Sequence, residues 1–393
     1  MVQSQTNHLP ILQDYSTYDI SSATFKISDR CNLCCKYCYR ENSDKTHKVQ
    51  DIDVRVVERA LDGIFRYKVA LNEKIGINTA PSLYFIWHGG EPTIAGKEKF
   101  QEILEIQDRY RNEGYVIKNG IQTNGTLIDD DFAELFKREK FEVGISIDGP
   151  KAIQDIHRVF RNGKSSFEDT VKGIKILNEK NITWSAISVI NREYIGFEKE
   201  IFDFFKQHGP STVDFTPSFF YDSVFTLSPV EYSNFMRNMF DIWIKGEDQY
   251  EIRFFRDAMY VMGYLRNPSK KSLVCDLSGI CHRNVSIGSN GDFYSCECLN
   301  SKKSNLLGNI MEMNIPQIIS GDAFRKMSEC TNRFCAECTR CDVFPICKAG
   351  CYNRRLPEEP GEPRLDYYCK ARQEILRHIR MVCDVMLESQ GDT

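Results

Sequence analysis

Apolar and polar positions over the first two hundred residues follow two alternating rhythms. Short runs rich in β-branched and aromatic residues read as buried strands: "TFKIS" (24–28), "LYFIWH" (83–88), "IKNGIQ" (117–122), "EVGISI" (142–147), "WSAISVI" (184–190) and "VDFTP" (213–217). Between them apolar residues recur at helical spacing. Val57, Leu61 and Ile64 share one face; Phe167, Val171 and Ile174 share another, behind a cap-like Ser166-x-x-Asp169. "EIFDFFKQHG" stops at Gly209, which reads as a C-cap. This succession of strand–helix units predicts an α/β fold with a parallel sheet, a partial (β/α)6 barrel of the TIM-like kind.

Past residue 225 the rhythm changes. Residues 226–270 read as a helical connector. "RNVSIGSNGDFYSCECL" (283–299) predicts a hairpin turning at "SNGD". Short cysteine-spaced turns follow, the mark of a small domain held by metal rather than by a core. The expected boundaries are an N-terminal extension at 1–22, the barrel at 23–225, the connector at 226–270, a cysteine-rich domain at 271–375 and a tail at 376–393 that frays at "LESQGDT".

Composition changes the picture in two ways. A chain of 393 residues, 41% hydrophobic, can bury a large core, and its net charge of −4 gives no footprint for nucleic acid or an anionic membrane. "MVQSQTNHLP" lacks a basic region followed by an apolar one, and no apolar run reaches membrane-spanning length, so a cytoplasmic protein is expected. In that setting sixteen cysteines point to metal rather than disulfides.

The cysteines fall into two blocks, with none between Cys38 and Cys275. The first, "CNLCCKYCYR" (31–40), contains C-x3-C-x2-C at Cys31, Cys35 and Cys38, just after the first strand. Three thiolates on a 4Fe–4S cluster leave one iron open to a substrate or cofactor; a zinc site there needs a distant fourth ligand. Cys34 breaks the spacing and reads as a bystander. The second block runs Cys338-x2-Cys341-x5-Cys347-x3-Cys351, then Cys369, with Cys275, Cys281 and Cys296 upstream. A zinc ribbon accounts for four of these, not eight. Cys298, one residue from Cys296, is placed to replace it, and Cys335 can slip the register by preceding Cys338 at another x2 gap. Cys330 and Cys383 have no assigned role.

The first motif, with Tyr37 before its last cysteine, resembles the radical S-adenosylmethionine (SAM) enzymes. "HGGEP" (88–92), "QTNGTLID" (122–129) and "SIDGP" (146–150), all at C-terminal strand ends, strengthen the likeness. The resemblance implies a cluster on Cys31, Cys35 and Cys38 that binds SAM and cleaves it to a radical. It places Gly89, Gly90 and Glu91 at the SAM amino group, Ser146 and Arg158 at its ribose or carboxylate, and Tyr37 near its adenine. The second block resembles the SPASM domain, which carries two auxiliary 4Fe–4S clusters. By that resemblance Cys275, Cys281, Cys296 and Cys351 hold one, and Cys338, Cys341, Cys347 and Cys369 the other. Three 4Fe–4S clusters and SAM are thus the expected cofactors.

Within SPASM proteins the chain is similar to maturases of ribosomal peptides and to anaerobic sulfatase-maturating enzymes. In the latter an aspartate after the third cysteine of the first auxiliary cluster acts as the base, and a glutamine precedes the GGEP motif. Here those places hold Glu297 and His88. The first expectation is therefore a maturase that takes a hydrogen atom from a precursor peptide and oxidises or cross-links it, with Glu297 as the base. Formylglycine formation on a sulfatase Ser or Cys is the second, and a non-catalytic electron carrier the third. A peptide or protein substrate and an electron donor such as flavodoxin or ferredoxin are the expected partners. The short stretch before the first strand is not expected to form the winged leader-binding domain of some peptide maturases, so leader recognition is expected from the barrel, the SPASM region or a separate protein.

Overall fold

Strand β1 (Ser22–Ser28) is buried along its whole length, its apolar and polar residues turned to opposite faces. Ala23, Phe25 and Ile27 face the helical layer, where Phe25 stacks on Phe85 at 4.7 Å. The alternate positions carry Thr24, Lys26 and Ser28 toward the other side. The computed structural model of the chain describes residues 19–39, 49–219, 224–246, 250–265, 274–279, 281, 283–300, 303–355 and 364–391. Most of the expected N-terminal extension lies outside them.

All six predicted strands are present. After β1 come β2 (Ser82–Gly89), β3 (Val116–Thr123), β4 (Glu142–Ser146), β5 (Trp184–Ile190) and β6 (Thr212–Pro217), each parallel to the one before. The crossovers carry α1 (Val54–Ile75), α2 (Lys97–Asn112), α3 (Asp130–Arg138), α4 (Lys151–His157), α5 (Phe167–Glu179) and α6 (Glu198–His208). Asp53 and Asp129 cap α1 and α3 by accepting backbone N–H bonds, and Gly209 closes α6 in the left-handed region. Ser166 departs from its predicted role. Its hydroxyl donates to the Arg158 carbonyl at 2.6 Å and makes no cap bond, because that carbonyl lies buried beside it.

The connector forms α7 (Pro229–Trp243) and α8 (Arg253–Val261), with a two-residue strand β7 (Glu251–Ile252) added beside β6. Ser228 and Glu231 close a capping box on α7. The predicted hairpin is β8 (Asn284–Ile287) and β9 (Asp292–Tyr294), and β10 (Gly308–Asn309) extends it. Unexpectedly, β8 pairs in parallel with β1, so one ten-stranded sheet runs β10-β9-β8-β1-β2-β3-β4-β5-β6-β7. The remaining helices are α9 (Cys275–Ser278), α10 (Ile315–Ser320), α11 (Asp322–Thr331), α12 (Ala336–Thr339), α13 (Phe344–Cys347) and α14 (Cys369–Gly391).

Two expectations are corrected here. The C-terminal region is not held by metal alone. Val285, Ile287, Phe293, Leu307, Ile315, Ile318 and Phe324 belong to the same apolar core as the barrel. Among the described residues, only Cys335, Cys338 and Ala349, with Phe334 and Phe344 against them, form a separate small cluster. Nor is 376–393 a tail throughout, since α14 continues through it to Gly391 and packs on α7 and α8; the expected fraying concerns only 387–393, of which 387–389 are exposed. Ile375, Leu376, Ile379 and Cys383 are its buried face, with Ile375, Ile379 and Cys383 four residues apart.

Candidate active site

The C-terminal ends of β1 to β6 gather the motifs. The first cysteine loop leaves β1 and is clamped by segments that follow β3 and β4. Cys34 N–H donates to Val159 O at 2.8 Å and Lys36 N–H to His157 O at 3.2 Å, while Leu33 bridges Phe160. Asn32 exchanges side-chain bonds with Thr126 (2.8 Å) and Asn124 (2.9 Å). Cys31, Cys35 and Cys38 are half-buried and lie near enough to feel one another's charge; Cys34 is exposed. Burial pushes the Cys35 thiol up to about 12, against the pull of the Arg158 guanidinium.

Several side chains expected around SAM are occupied by the protein itself. Glu91 is fully buried, and its carboxylate accepts from Thr93 N (3.0 Å), Thr93 Oγ1 (2.6 Å), Thr123 Oγ1 (2.6 Å) and Asn124 N (2.7 Å). It ties the end of β2 to the end of β3. Gly89 and Gly90 make room for the neighbouring chain: a Cβ on Gly89 would meet the Ser28 carbonyl oxygen at 2.2 Å, and one on Gly90 the Arg30 carbonyl oxygen at 2.2 Å. Tyr37 is buried with its hydroxyl donating to Asp148 Oδ2 at 2.6 Å, and Arg158 Nη1 donates to that hydroxyl at 3.0 Å. These bonds hold the cysteine loop onto the end of β4, whose last residue, Ser146, accepts from Gln122 Nε2 at 2.8 Å. Arg158 keeps one buried nitrogen, Nε, without a protein partner.

Asp148 was not singled out in the sequence, yet it organises this end of the barrel. It also accepts from Tyr194 Oη (2.9 Å) and Val189 N (3.0 Å), joining the cysteine loop to β5. Its only sequence signal was its place inside "SIDGP".

Glu297 is no exposed hairpin carboxylate. It starts the turn after β9 and points to the inner face of β1, where it pairs with Lys26 Nζ. Tyr39 Oη donates to Glu297 Oε1 at 2.6 Å and accepts from Lys26 Nζ at 2.8 Å, and Ser286 Oγ donates to Glu297 Oε2 at 2.8 Å. Burial alone would raise the Glu297 pKa. The charges of Lys26 and His88 and the hydrogen bonds outweigh it and hold the carboxylate at about 2. Lys26 was missed, although a lysine inside the apolar run "TFKIS" is itself a signal, since a buried ammonium needs a partner.

The C-terminal thiols form two groups. Cys275, Cys281, Cys296 and Cys351 lie within each other's electrostatic reach, and Cys298 joins them, within hydrogen-bonding reach of both Cys296 and Cys351. Cys338, Cys341, Cys347 and Cys369 line one pocket with Phe344 and Gln373. Cys335 is buried beside Cys338, Cys330 approaches Tyr352, and Cys383 sits in the core. Arg355 and Arg372 are buried among these groups, Arg354 is partly buried there, and Arg372 Nε donates to Cys347 Sγ at 3.2 Å. Among the described residues no three His, Cys, Asp or Glu side chains converge on a single-ion site. A four-iron cluster takes thiolates at separate corners and does not ask for that convergence. Buried arginines beside the thiols suit a cluster whose thiolates give it negative charge.

Comparison with known proteins agrees with this geometry. The radical SAM superfamily model matches residues 25–205, and that of the SPASM iron–sulfur cluster-binding domain matches 279–342. The cysteine-type anaerobic sulfatase-maturating enzyme of Clostridium perfringens is 27% identical over 362 residues, covering 89% of this chain and 94% of that protein. The serine-type enzyme of Bacteroides thetaiotaomicron is 28% identical over 386 residues, covering 91% and 88%. A solved structure of histidine-tagged anSMEcpe with bound AdoMet matches with a TM-score of 0.80 at 25% identity, covering 92% of this chain and 95% of that one. The chain is a radical SAM enzyme with a C-terminal SPASM domain, a class that works with 4Fe–4S clusters and SAM. Within that class it closely resembles the anaerobic sulfatase-maturating enzymes. No described helix is long and apolar enough to cross a membrane.

Proposed function

We propose that the chain is an anaerobic maturase that converts a Ser or Cys side chain of a protein, such as a sulfatase, to formylglycine. Likeness to the two sulfatase-maturating enzymes over most of both chains favours this over the cross-linking peptide maturase that the sequence first suggested. In this proposal Cys31, Cys35 and Cys38 hold the SAM-binding cluster. Cys275, Cys281, Cys296 and Cys351 hold one auxiliary cluster; Cys338, Cys341, Cys347 and Cys369 hold the other. Loaded with cluster and SAM, the site supplies the radical that takes a hydrogen atom from the substrate. Arg158, with its unpartnered buried Nε beside the loop, is assigned to a carboxylate of the cofactor. Glu91, Tyr37 and Asp148 act on the loop's position, and Ser146, Gly89 and Gly90 would stand beside SAM.

The observation that carries the proposal is the position of Glu297, ionised on the inner face of β1 between Lys26, Tyr39 and Ser286. A carboxylate held at about 2 is a weak base for an ordinary hydroxyl or thiol. It suits a proton whose acidity has risen after hydrogen loss at the adjoining carbon; the surplus electron would pass to the auxiliary site of Cys275, Cys281, Cys296 and Cys351, and with a Cys substrate water would replace the sulfur, which leaves as sulfide. Lys26 pairs with it across β1, and the charge of His88 acts on it in the same direction. A protein electron donor of the flavodoxin or ferredoxin kind belongs to the same proposal.

The test uses anaerobically reconstituted enzyme, SAM and a sulfatase-derived peptide deuterated at the Ser or Cys Cβ. The expected result is an aldehyde trapped by a hydrazine reagent, with deuterium carried into 5′-deoxyadenosine. In Glu297→Gln the aldehyde should fall by at least ~10²-fold while 5′-deoxyadenosine release persists. A cross-linked peptide without aldehyde would return the assignment to the peptide maturases.

A further inference from the structure

A chain of charges, buried at Arg372 and Asp366 and partly exposed at Asp276 and Arg354, joins the two C-terminal thiol groups. Arg372, on α14 and fully buried, donates from Nε to Cys347 Sγ (3.2 Å), from Nη1 to Asp276 Oδ2 (3.0 Å) and from Nη2 to the Asp276 carbonyl (2.8 Å). Asp276 directly follows Cys275. Arg354 donates to the same Asp276 carboxylate oxygen at 2.5 Å and to Asp366 Oδ2 at 3.0 Å. Asp366 accepts the Cys351 N–H at 2.9 Å through its carboxylate and the Cys369 N–H at 2.8 Å through its carbonyl. The network therefore touches Cys275 and Cys351 of one group and Cys347 and Cys369 of the other.

Its composition is balanced, two arginines against two aspartates, but its placement is not. Within the network the hydrogen bond to a sulfur comes from an arginine. Buried ion networks are weak evidence for stability, since well-packed apolar side chains serve that purpose as well. Charge and hydrogen bonds at cluster sulfurs do change a cluster's reduction potential. We propose that the Arg372–Asp276 bridge sets and couples the potentials of the two auxiliary sites, with Arg372 raising the potential at the site of Cys338, Cys341, Cys347 and Cys369. The inference rests on the assignment of the two thiol groups to two clusters. It does not depend on which substrate is modified.

The experiment is a potentiometric titration followed by electron paramagnetic resonance. It uses the full chain, reconstituted with iron and sulfide, with Cys31, Cys35 and Cys38 replaced by Ala so that only the auxiliary sites report. Arg372→Gln should move one auxiliary potential downward, and Arg372→Lys, which keeps the charge, should move it less. Asp276→Asn, which removes the opposing charge, should move a potential upward. If Arg372→Gln loses iron, Arg372→Lys and Asp276→Asn decide the matter by the opposite signs of their shifts. Potentials unchanged in these variants, or shifts of one sign in both, overturn the proposal. Iron for a single auxiliary cluster in the parent protein overturns its premise. No substrate is added, so neither result bears on formylglycine formation.

Discussion

Glu297 and Lys26 define each other's state. The Glu297 pKa is lowered from 4.5 to about 2, so the stability its ionisation contributes is fully present above about 4.5 and is lost as pH falls toward 2. At working pH the carboxylate is charged, and no acid limb from Glu297 is expected in product formation. Lys26→Met removes the largest opposing charge and leaves the burial, so the Glu297 pKa should rise. Product formation should then fall on mildly acidic titration where the parent enzyme is flat, while 5′-deoxyadenosine release keeps its parent profile. A flat product profile in Lys26→Met would show that the ionised carboxylate is not required.

The junction between β1, β2 and the cysteine loop is the element on which the first site depends. Glu91 N–H donates to Arg30 O at 2.7 Å and Gly90 N–H to Ser28 O at 2.8 Å, so the chain leaving β1 is bonded to the turn after β2 before it reaches Cys31. A methyl group at residue 90 would meet the Arg30 carbonyl oxygen at 2.2 Å, and that oxygen belongs to backbone, which cannot swing aside. Gly90→Ala should therefore displace the loop. The expected outcome is loss of about one third of about twelve irons, with SAM cleavage abolished and the auxiliary signals retained. Full iron content and cleavage in Gly90→Ala would show that the loop tolerates the shift.

Across the whole molecule, one sheet and one core unite regions that the cysteine spacing had separated. The β8–β9 hairpin is hydrogen-bonded to β1, and this pairing carries Glu297 over Lys26. At the other end α14 starts at Cys369 and packs its apolar face on α7 and α8. A tail would tolerate truncation of that face; a core helix would not. Ile379 is fully buried, so Ile379→Ala should cost about 2–5 kcal/mol, read as a lower denaturation midpoint at unchanged iron content. An unshifted midpoint would return this segment to the surface.

Much was determined by sequence alone, where the signal is local. Strand runs such as "WSAISVI" depend on a period of two, and the Gly209 stop on one residue's backbone freedom, so both were legible. The first thiol group was legible in its C-x3-C-x2-C spacing; the division of the C-terminal cysteines came from the SPASM resemblance, since spacing alone runs Cys351 on from Cys347. Cys298 shows the limit: its place between Cys296 and Cys351 depends on a residue 53 positions away (351 against 298). Long-range placement was decided only in the tertiary structure. Glu91 looked open to a cofactor until four donors from two strand ends were found on it. Tyr37 looked free until Asp148 held its hydroxyl, and Arg372 was one basic residue among many on a helix. Which partner satisfies a buried polar group depends on what the fold brings beside it, and periodicity and spacing carry no record of that.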